Sequence, residues 1–178
     1  MDPSPPRGRS PYESLLGQEF ASLHENVRRA HLAPLRAEGE IDVEHGRAWW
    51  VPPMIWLMKL PAAGPKQAAQ LQVAAEGDEL IWSRQIGRSQ LRTRQRASRS
   101  WLVERSGLGR VSFNLAADNG ALNYRHASIH LAGVQVPSPL RPCVSAVVAA
   151  TDDGWRVAVT VEWRGRLVCR YSGAMRES

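Results

Sequence analysis

Alternating apolar and polar residues, interrupted at regular intervals by turn residues, run through most of the chain after Pro65. The clearest example is residues 155–163, where a Trp or Val occupies every second position. A period of two predicts a half-buried β-strand. The Asn119-Gly120 pair between two such segments is a strong hairpin signal. Turn residues recur about every ten residues, which predicts an antiparallel meander rather than βαβ units.

The number of predicted strands, about eight to ten, constrains the fold. A sheet of this size twists, and it buries one face only by curling over helices or by closing into a barrel. We therefore predict an α+β fold with a strongly curved antiparallel β-sheet, half-barrel or barrel-like, packed on an N-terminal helix and a short Trp-rich helix. A curved sheet with a helix across its mouth commonly encloses an apolar cavity.

The N-terminal helix is predicted from a capping box. Ser10 stands three residues before Glu13, with Pro11 at the first helical position. The apolar residues that follow at intervals of four, three and four indicate one helical stripe that ends near His31: Leu16, Phe20, Leu23 and Val27. Residues 1–9 contain three prolines and no apolar periodicity, so we expect a flexible segment there and a single domain over residues 10–178.

Residues 49–60 contain three tryptophans, two methionines and the Pro52-Pro53 pair, which is typical of a loop that enters one short helix. This helix is apolar on all sides. Two interpretations stay open: a plug packed into the core, and a lid or membrane-surface anchor, since tryptophan favours interfaces.

The chain is basic, with 23 Lys and Arg against 17 Asp and Glu. Five arginines form a basic strip, defined as Arg88, Arg92, Arg94, Arg96 and Arg99. The three central arginines would share one face of a strand. The strip fits either a solvated outer face of the sheet or a surface for phosphate groups or anionic lipids. No recognition helix, zinc finger or RNA-recognition motif accompanies it, so we predict no sequence-specific binding of nucleic acid.

Arg84 differs from the strip because it shares its predicted strand face with Leu80, Trp82 and Ile86. A guanidinium that faces a core needs a partner or a ligand. One interpretation is an internal pair with a carboxylate such as Glu104 or Glu162. The other is an anion-binding group at the end of an apolar pocket with Trp82 as its wall, which Trp49, Met54 and Trp56 would complete.

Catalytic and cofactor motifs are absent from the sequence. There is no nucleophile elbow, phosphate loop or dinucleotide fingerprint, and His126 and His130 lie in a strand pattern without further ligands, so we expect no metal and no cofactor. Whether the protein is an enzyme stays open, with a non-catalytic role favoured. Two cysteines, no secretory leader and no long apolar segment predict a cytoplasmic protein without a transmembrane span.

A dispersed series of short motifs runs through the second half: Trp82-Ser83-Arg84, residues 102–105 followed by Gly107, residues 133–137, and Tyr171-Ser172-Gly173. In this order they resemble a bacterial family of domains of unknown function, number 4166, from about Leu15 to the C-terminus. The resemblance implies no established activity. It implies a separate oxidoreductase partner, because such domains often follow a saccharopine-dehydrogenase-like oxidoreductase domain in longer chains.

These observations favour a binding or accessory module for a hydrophobic, anionic small molecule held in the curl of the sheet. The Trp49–Leu60 segment would act as its lid and Arg84 as the counter-ion. Two alternatives stay open. One is an accessory domain of an oxidoreductase system, and the other is a peripheral membrane or nucleic-acid surface on the Arg92–Arg99 strip.

Overall fold

The computed structural model describes residues 10–178, so the predicted flexible segment 1–9 lies outside the described residues. Four helices are present: α1 (Pro11–Leu16), α2 (Glu19–Ser22), α3 (Glu25–Ala30) and α4 (Val51–Met58). The strands are β1 (Leu35–His45), β2 (Gly64–Glu76), β3 (Glu79–Ile86), β4 (Ser89–Ser98), β5 (Trp101–Ser106), β6 (Gly109–Asp118), β7 (Ala121–Leu131), β8 (Val134–Gln135), β9 (Cys143–Thr151), β10 (Gly154–Trp163) and β11 (Arg166–Glu177).

The strands form one closed antiparallel barrel. Their order is β6-β5-β4-β3-β2-β1-β11-β10-β9-β7-β8, and β6 also pairs with β7, which closes ten strands into a ring. The two-residue β8 only extends β7 at the rim. The predicted curved antiparallel sheet is confirmed. The fold is more sheet than the predicted α+β class implies, and the sheet closes into a full barrel rather than a half-barrel. Closure pairs every edge strand, which removes the unpaired backbone groups that a half-barrel exposes.

The prediction of one continuous N-terminal helix is wrong, because residues 11–30 form three short helices. The first ends at Gly17, which has φ +55°, and α2 ends at Leu23, which is extended. The predicted capping box is present, with Ser10 and Glu13 bonded to each other's backbone. All four residues of the predicted apolar stripe are buried, because the breaks bend the segment across the mouth of the barrel.

The Trp-rich helix is also shorter than predicted, with eight residues in α4. Lys59 ends it in the left-handed conformation. The first strand runs from Leu35 to His45, and Leu35, Ala37, Ile41 and Val43 of this strand are buried at alternate positions. No helix in the described part of the chain has the length and apolar character that a membrane crossing requires.

The two ends of the barrel are covered differently. Helices α1 to α3 pack on the end where β6 turns into β7, and the His24 backbone N–H donates to the Gly120 carbonyl over 2.9 Å. We call this the helical end. Helix α4 connects β1 to β2 at the opposite end, where Trp50 packs edge-on against Trp163 with ring centroids 5.0 Å apart. We call this the α4 end.

Candidate functional site

Arg84 and Glu104 form an ion pair inside the barrel. Arg84 lies on β3 opposite Leu91 of β4, and Glu104 lies on β5 opposite Gln95 of β4. Because opposite residues in a sheet share a face, both charged side chains point inward with buried neighbours. An Nη1 atom of Arg84 donates to Oε1 of Glu104 over 2.9 Å. The side chains keep 25% and 17% of their surface exposed, so the pair faces space inside the molecule.

The pair is held in its charged form. Burial alone would favour a neutral Glu104, but the Arg84 charge and the hydrogen bonds that the carboxylate accepts lower its pKa below the ordinary value. Burial likewise acts to lower the pKa of Arg84, and the Glu104 charge outweighs it and raises that pKa. The Arg84 guanidinium also lies 5.0 Å from the centre of the Trp82 ring, within cation–π range.

A chain of hydrogen bonds extends from Glu104 toward the helical end. Gln95 Nε2 donates to Glu104 Oε2 over 3.2 Å, and Tyr12 donates to Gln95 Oε1 over 2.6 Å. The charged carboxylate fixes the orientation of the Gln95 amide, because only the NH₂ group can donate to it. The Tyr12 hydroxyl oxygen lies 3.2 Å from that of Tyr124. This polar network therefore links β4, β5 and β7 to the first helix.

His31 ends the network. Its Nδ1 lies 2.6 Å from the Val27 carbonyl oxygen, which can only accept, so Nδ1 carries the proton. In the neutral ring Nε2 is then an acceptor, and it lies 2.6 Å from the Tyr124 hydroxyl. Tyr124 thus has one hydroxyl proton for two contacts, one with the Tyr12 hydroxyl and one with His31 Nε2.

Several inward-pointing side chains in the middle and the α4 half of the barrel are only half-buried, although others there, such as Val43, are buried. Val157 and Val159 lie on the same face of β10 as Trp155 and Val161, which are buried, yet both stay only half-buried. Inward side chains on β4, β6, β7 and β9 behave in the same way: Leu91, Val111, Ile129, Val144 and Ala146. In a closed barrel the exposed part of an inward side chain faces interior space. The core is therefore filled at the helical end and less completely filled along the strands that carry these half-buried side chains.

The structure places the predicted ligand-binding residues in two separate groups. Trp82 is buried beside Arg84. Met54 is half-buried and packs against the core from α4, whereas Trp49 and Trp56 are 88% and 81% exposed. An eight-residue helix that is apolar on all sides can bury only one side against the barrel. The two tryptophan rings therefore face solvent rather than the interior beside Arg84.

The basic strip runs along β4 from one end of the barrel to the other. Arg88 lies in the β3–β4 turn at the α4 end, whereas Arg99 lies in the β4–β5 turn at the helical end. The arginines between them are on β4, whose outward positions alternate with buried ones. Arg94 is paired with Glu76 over 3.0 Å and with Glu79 over 3.2 Å. Arg94, in the middle of the strip, is therefore neutralised by two carboxylates.

Sequence analysis missed most of the polar network, namely Tyr12, His31, Gln95 and Tyr124. The sequence held one signal for Gln95. It stands between Arg94 and Arg96, and if these arginines point outward, Gln95 points into the barrel. Nothing in the sequence pattern brings His31 and Tyr124 together. Among the described residues no group of three His, Cys, Asp or Glu side chains could hold a metal ion. A β-bulge between His126 and His130 places these two histidines on opposite faces of β7.

Two concavities on the outside of the molecule are separate from this network. One of about 210 Å³ is lined by Asp42, Glu44 and Arg170 among others, on the outer side of β1 and β11. The other, of about 400 Å³, is lined by residues of the first two helices, including Phe20. Neither includes Arg84 or Glu104. The candidate site is therefore defined by the polar network and the half-buried inward side chains near it.

Comparisons with known proteins give a family without an assigned activity. A search of curated proteins found no relative of this chain. Among solved structures, a secretary abundant heat soluble (SAHS) protein from Ramazzottius varieornatus matches with a TM-score of 0.46 and 11% identity, over 82% of this chain and 95% of that one. A similarity this low carries no function over. The model of one family matches residues 23–175, and the chain therefore belongs to the family described as domain of unknown function (DUF4166).

Proposed function

We propose that this protein binds a small hydrophobic molecule with an anionic or otherwise polar end inside the barrel, without converting it. The apolar part would lie against the half-buried inward side chains of β4, β6, β7, β9 and β10. The polar end would lie against Arg84, which Glu104 holds in place. The observation that carries this proposal is that inward apolar side chains of a closed barrel keep accessible surface next to a charged pair.

Arg84 has donors to offer to a ligand. A guanidinium carries five N–H groups, and among the described residues Arg84 donates one hydrogen bond, to Glu104. The pair with Glu104 is neutral overall, so a ligand anion would be attracted mainly through directed hydrogen bonds rather than through net charge. Ligand sites of this kind are mostly apolar with a few well-placed polar groups.

The barrel end next to α4 is the natural entrance to this interior. Helix α4 contacts β11, and Met54, Ile55 and Met58 pack from it against the core. The helical end is closed by buried side chains such as Leu35, Leu102 and Leu122. Movement of α4 would open a path from this end to the half-buried inward side chains, whereas movement of α1 to α3 would expose packed core. In this role α4 is the lid that covers the ligand.

The test is titration of the purified protein with 1-anilinonaphthalene-8-sulfonate, an anionic apolar fluorophore, together with native mass spectrometry of freshly purified protein. We expect one saturable site in the wild type. Val159→Trp should remove it, because the indole fills the interior space that Val159 faces. Ala146→Leu, a smaller addition on the neighbouring strand, should weaken binding without removing it.

Val147→Trp is the matched control, because Val147 is exposed and lies on the face of β9 opposite to that of Ala146. Circular dichroism would show that each variant is folded. Equal binding by the wild type, Val159→Trp and Val147→Trp would show that the fluorophore binds outside the barrel, and the proposal would then be wrong. Conversion of a bound molecule to a product of different mass would contradict the non-catalytic part.

A further inference from the structure

Exposed apolar side chains are concentrated at the α4 end of the barrel. Every large apolar side chain of the described residues that is more than half exposed lies there: Trp49, Trp56, Leu57, Leu108, Val134 and Leu140. They come from α4 and its approach, from the β5–β6 turn, from β8 and from the loop before β9. Apolar groups from four separate segments that reach solvent at one end are unusual for a free protein surface and mark an interaction site.

The charge at this end has one sign. Within the described residues, the connections at the α4 end contain five cations and no carboxylate: Arg47, Lys59, Arg88, Arg141 and Arg164. The nearest carboxylates along the chain, Glu44 and Glu162, lie on strands that lead into this end. The turns between strands at the opposite end carry three carboxylates, Asp78, Asp152 and Asp153, and one cation, Arg99. The barrel is therefore polarised along its axis, with its positive end at α4.

We propose that the α4 end is a docking surface for an anionic lipid bilayer. Indole rings such as those of Trp49 and Trp56 are favoured at the boundary between lipid headgroups and acyl chains. Each Lys or Arg close to an anionic membrane strengthens binding about five-fold. A protein partner would present both positive and negative charges. An anionic bilayer presents a continuous negative plane, which complements an end that carries both exposed apolar side chains and cations.

The docking surface goes beyond the proposed binding function and does not depend on it. Docking uses the outer side chains of α4 and the neighbouring turns, and the proposed ligand site uses inward side chains of the strands. A bilayer in contact with α4 would nevertheless lie at the entrance of the barrel, so an apolar ligand could pass between membrane and interior without crossing water.

The test is co-sedimentation of the full chain with vesicles of phosphatidylcholine alone and of phosphatidylcholine with phosphatidylglycerol, without added ligand. We expect binding to the anionic vesicles that weakens with rising salt. Trp49→Ser/Trp56→Ser should weaken it at least ten-fold through the lost apolar contact. Arg88→Glu/Arg164→Glu should weaken it roughly 30-fold or more. Circular dichroism would confirm that both variants fold, since all four side chains are exposed.

The matched control is Arg99→Glu/Arg156→Glu, which changes the net charge equally but lies near the helical end. Its binding should stay within about three-fold of the wild type, because these residues lie beyond the screening length from a docked membrane. An equal loss in both charge variants would indicate attraction by net charge and would overturn the proposal. Absence of binding to anionic vesicles would also overturn it. The proposal would likewise be wrong if the wild type self-associated instead of binding vesicles and the Trp49→Ser/Trp56→Ser variant did not self-associate.

Discussion

The hydroxyl oxygen of Tyr124 lies 2.6 Å from Nε2 of His31, although 93 residues separate them in the sequence. The contact fixes His31 as a neutral ring whose Nδ1 donates to the Val27 carbonyl. It also places a buried imidazole at one end of a network whose other end is the Arg84–Glu104 pair. Proton binding at one end and charge at the other are therefore coupled through the barrel interior.

The buried imidazole predicts a pH dependence of stability. Burial lowers the pKa of His31 from 6.5 to about 4, and the Arg84 charge acts in the same direction. Between these two values His31 binds a proton in the unfolded chain but not in the folded one, so the stability that His31 contributes falls as pH falls through this window and is constant above it. The shift corresponds to about 3 kcal/mol. Urea unfolding between pH 7 and pH 4 measures it.

His31→Gln is the comparison variant, because glutamine keeps one donor and one acceptor but does not titrate. We expect it to be less stable than the wild type at pH 7 and to have a flatter profile between pH 6.5 and pH 4. The lowered pKa of Glu104 contributes stability that is lost only below the ordinary carboxyl range, so its effect falls in a lower window. Identical slopes in the two proteins between pH 6.5 and pH 4 would contradict the assignment.

Replacement of one member of the interior ion pair should destabilise the protein. Arg84→Met leaves the Glu104 carboxylate without its counter-charge inside the barrel, and we expect a loss of about 3 kcal/mol in the free energy of unfolding. Arg84→Met/Glu104→Met should recover part of this loss, because neither charge then stays unpaired. Arg94→Met, which breaks a surface pair with Glu76 and Glu79, should leave the urea midpoint unchanged. A similar midpoint for all three variants would be evidence against an interior pair.

Gly173 should tolerate no side chain. A Cβ atom at this position would lie 1.9 Å from the backbone carbonyl oxygen of Glu40 on the neighbouring strand β1, and a backbone atom in a closed barrel cannot move away. We expect Gly173→Ala to cost more than about 3 kcal/mol or to prevent folding. At Gly109 the nearest atom would be 3.3 Å away, so Gly109→Ala should change the thermal midpoint little. A normal thermal transition in Gly173→Ala would show that β1 and β11 are farther apart.

The capping box makes a prediction that depends only on local structure. Ser10 Oγ accepts from the Glu13 backbone N–H over 3.2 Å, and Glu13 Oε2 accepts from the Ser10 backbone N–H over 2.7 Å. Ser10→Ala should lower the free energy of unfolding by about 1 kcal/mol, whereas Ser10→Asp, which also caps, should not. Thermal unfolding of the two variants makes the comparison. Equal midpoints would mean that α1 is held by the packing of Tyr12 alone.

Local patterns were sufficient for some elements and not for others. The alternation over residues 155–163 predicted β10, and Asn119-Gly120 predicted the β6–β7 hairpin, because both signals depend on neighbouring residues only. The stripe from Leu16 to Val27 predicted correctly which residues are buried but not that the helix breaks. A helical period does not show where a short segment must bend to fit the mouth of a barrel.

At the interior site, too, some features could be predicted from local patterns and others could not. The sequence placed Arg84 on an inward face, because that depends on the period of one strand, and it named Glu104 as one of two partners. It left open whether Arg84 pairs internally, because the choice depends on the register of β3, β4 and β5. The position of Trp56 depends on which side of α4 packs against the barrel, and an apolar helix gives no local signal for that side.

The sequence by itself determined that this chain is an antiparallel β protein with a capped N-terminal helix and an inward-facing arginine, because these features depend on periods of two or four residues and on single turns. Only the tertiary structure decided that the sheet closes, that His31 meets Tyr124, and that the exposed apolar residues collect at one end. Those features depend on contacts between residues far apart in the chain. Such contacts form only when ten strands satisfy one another's backbone hydrogen bonds around a common axis.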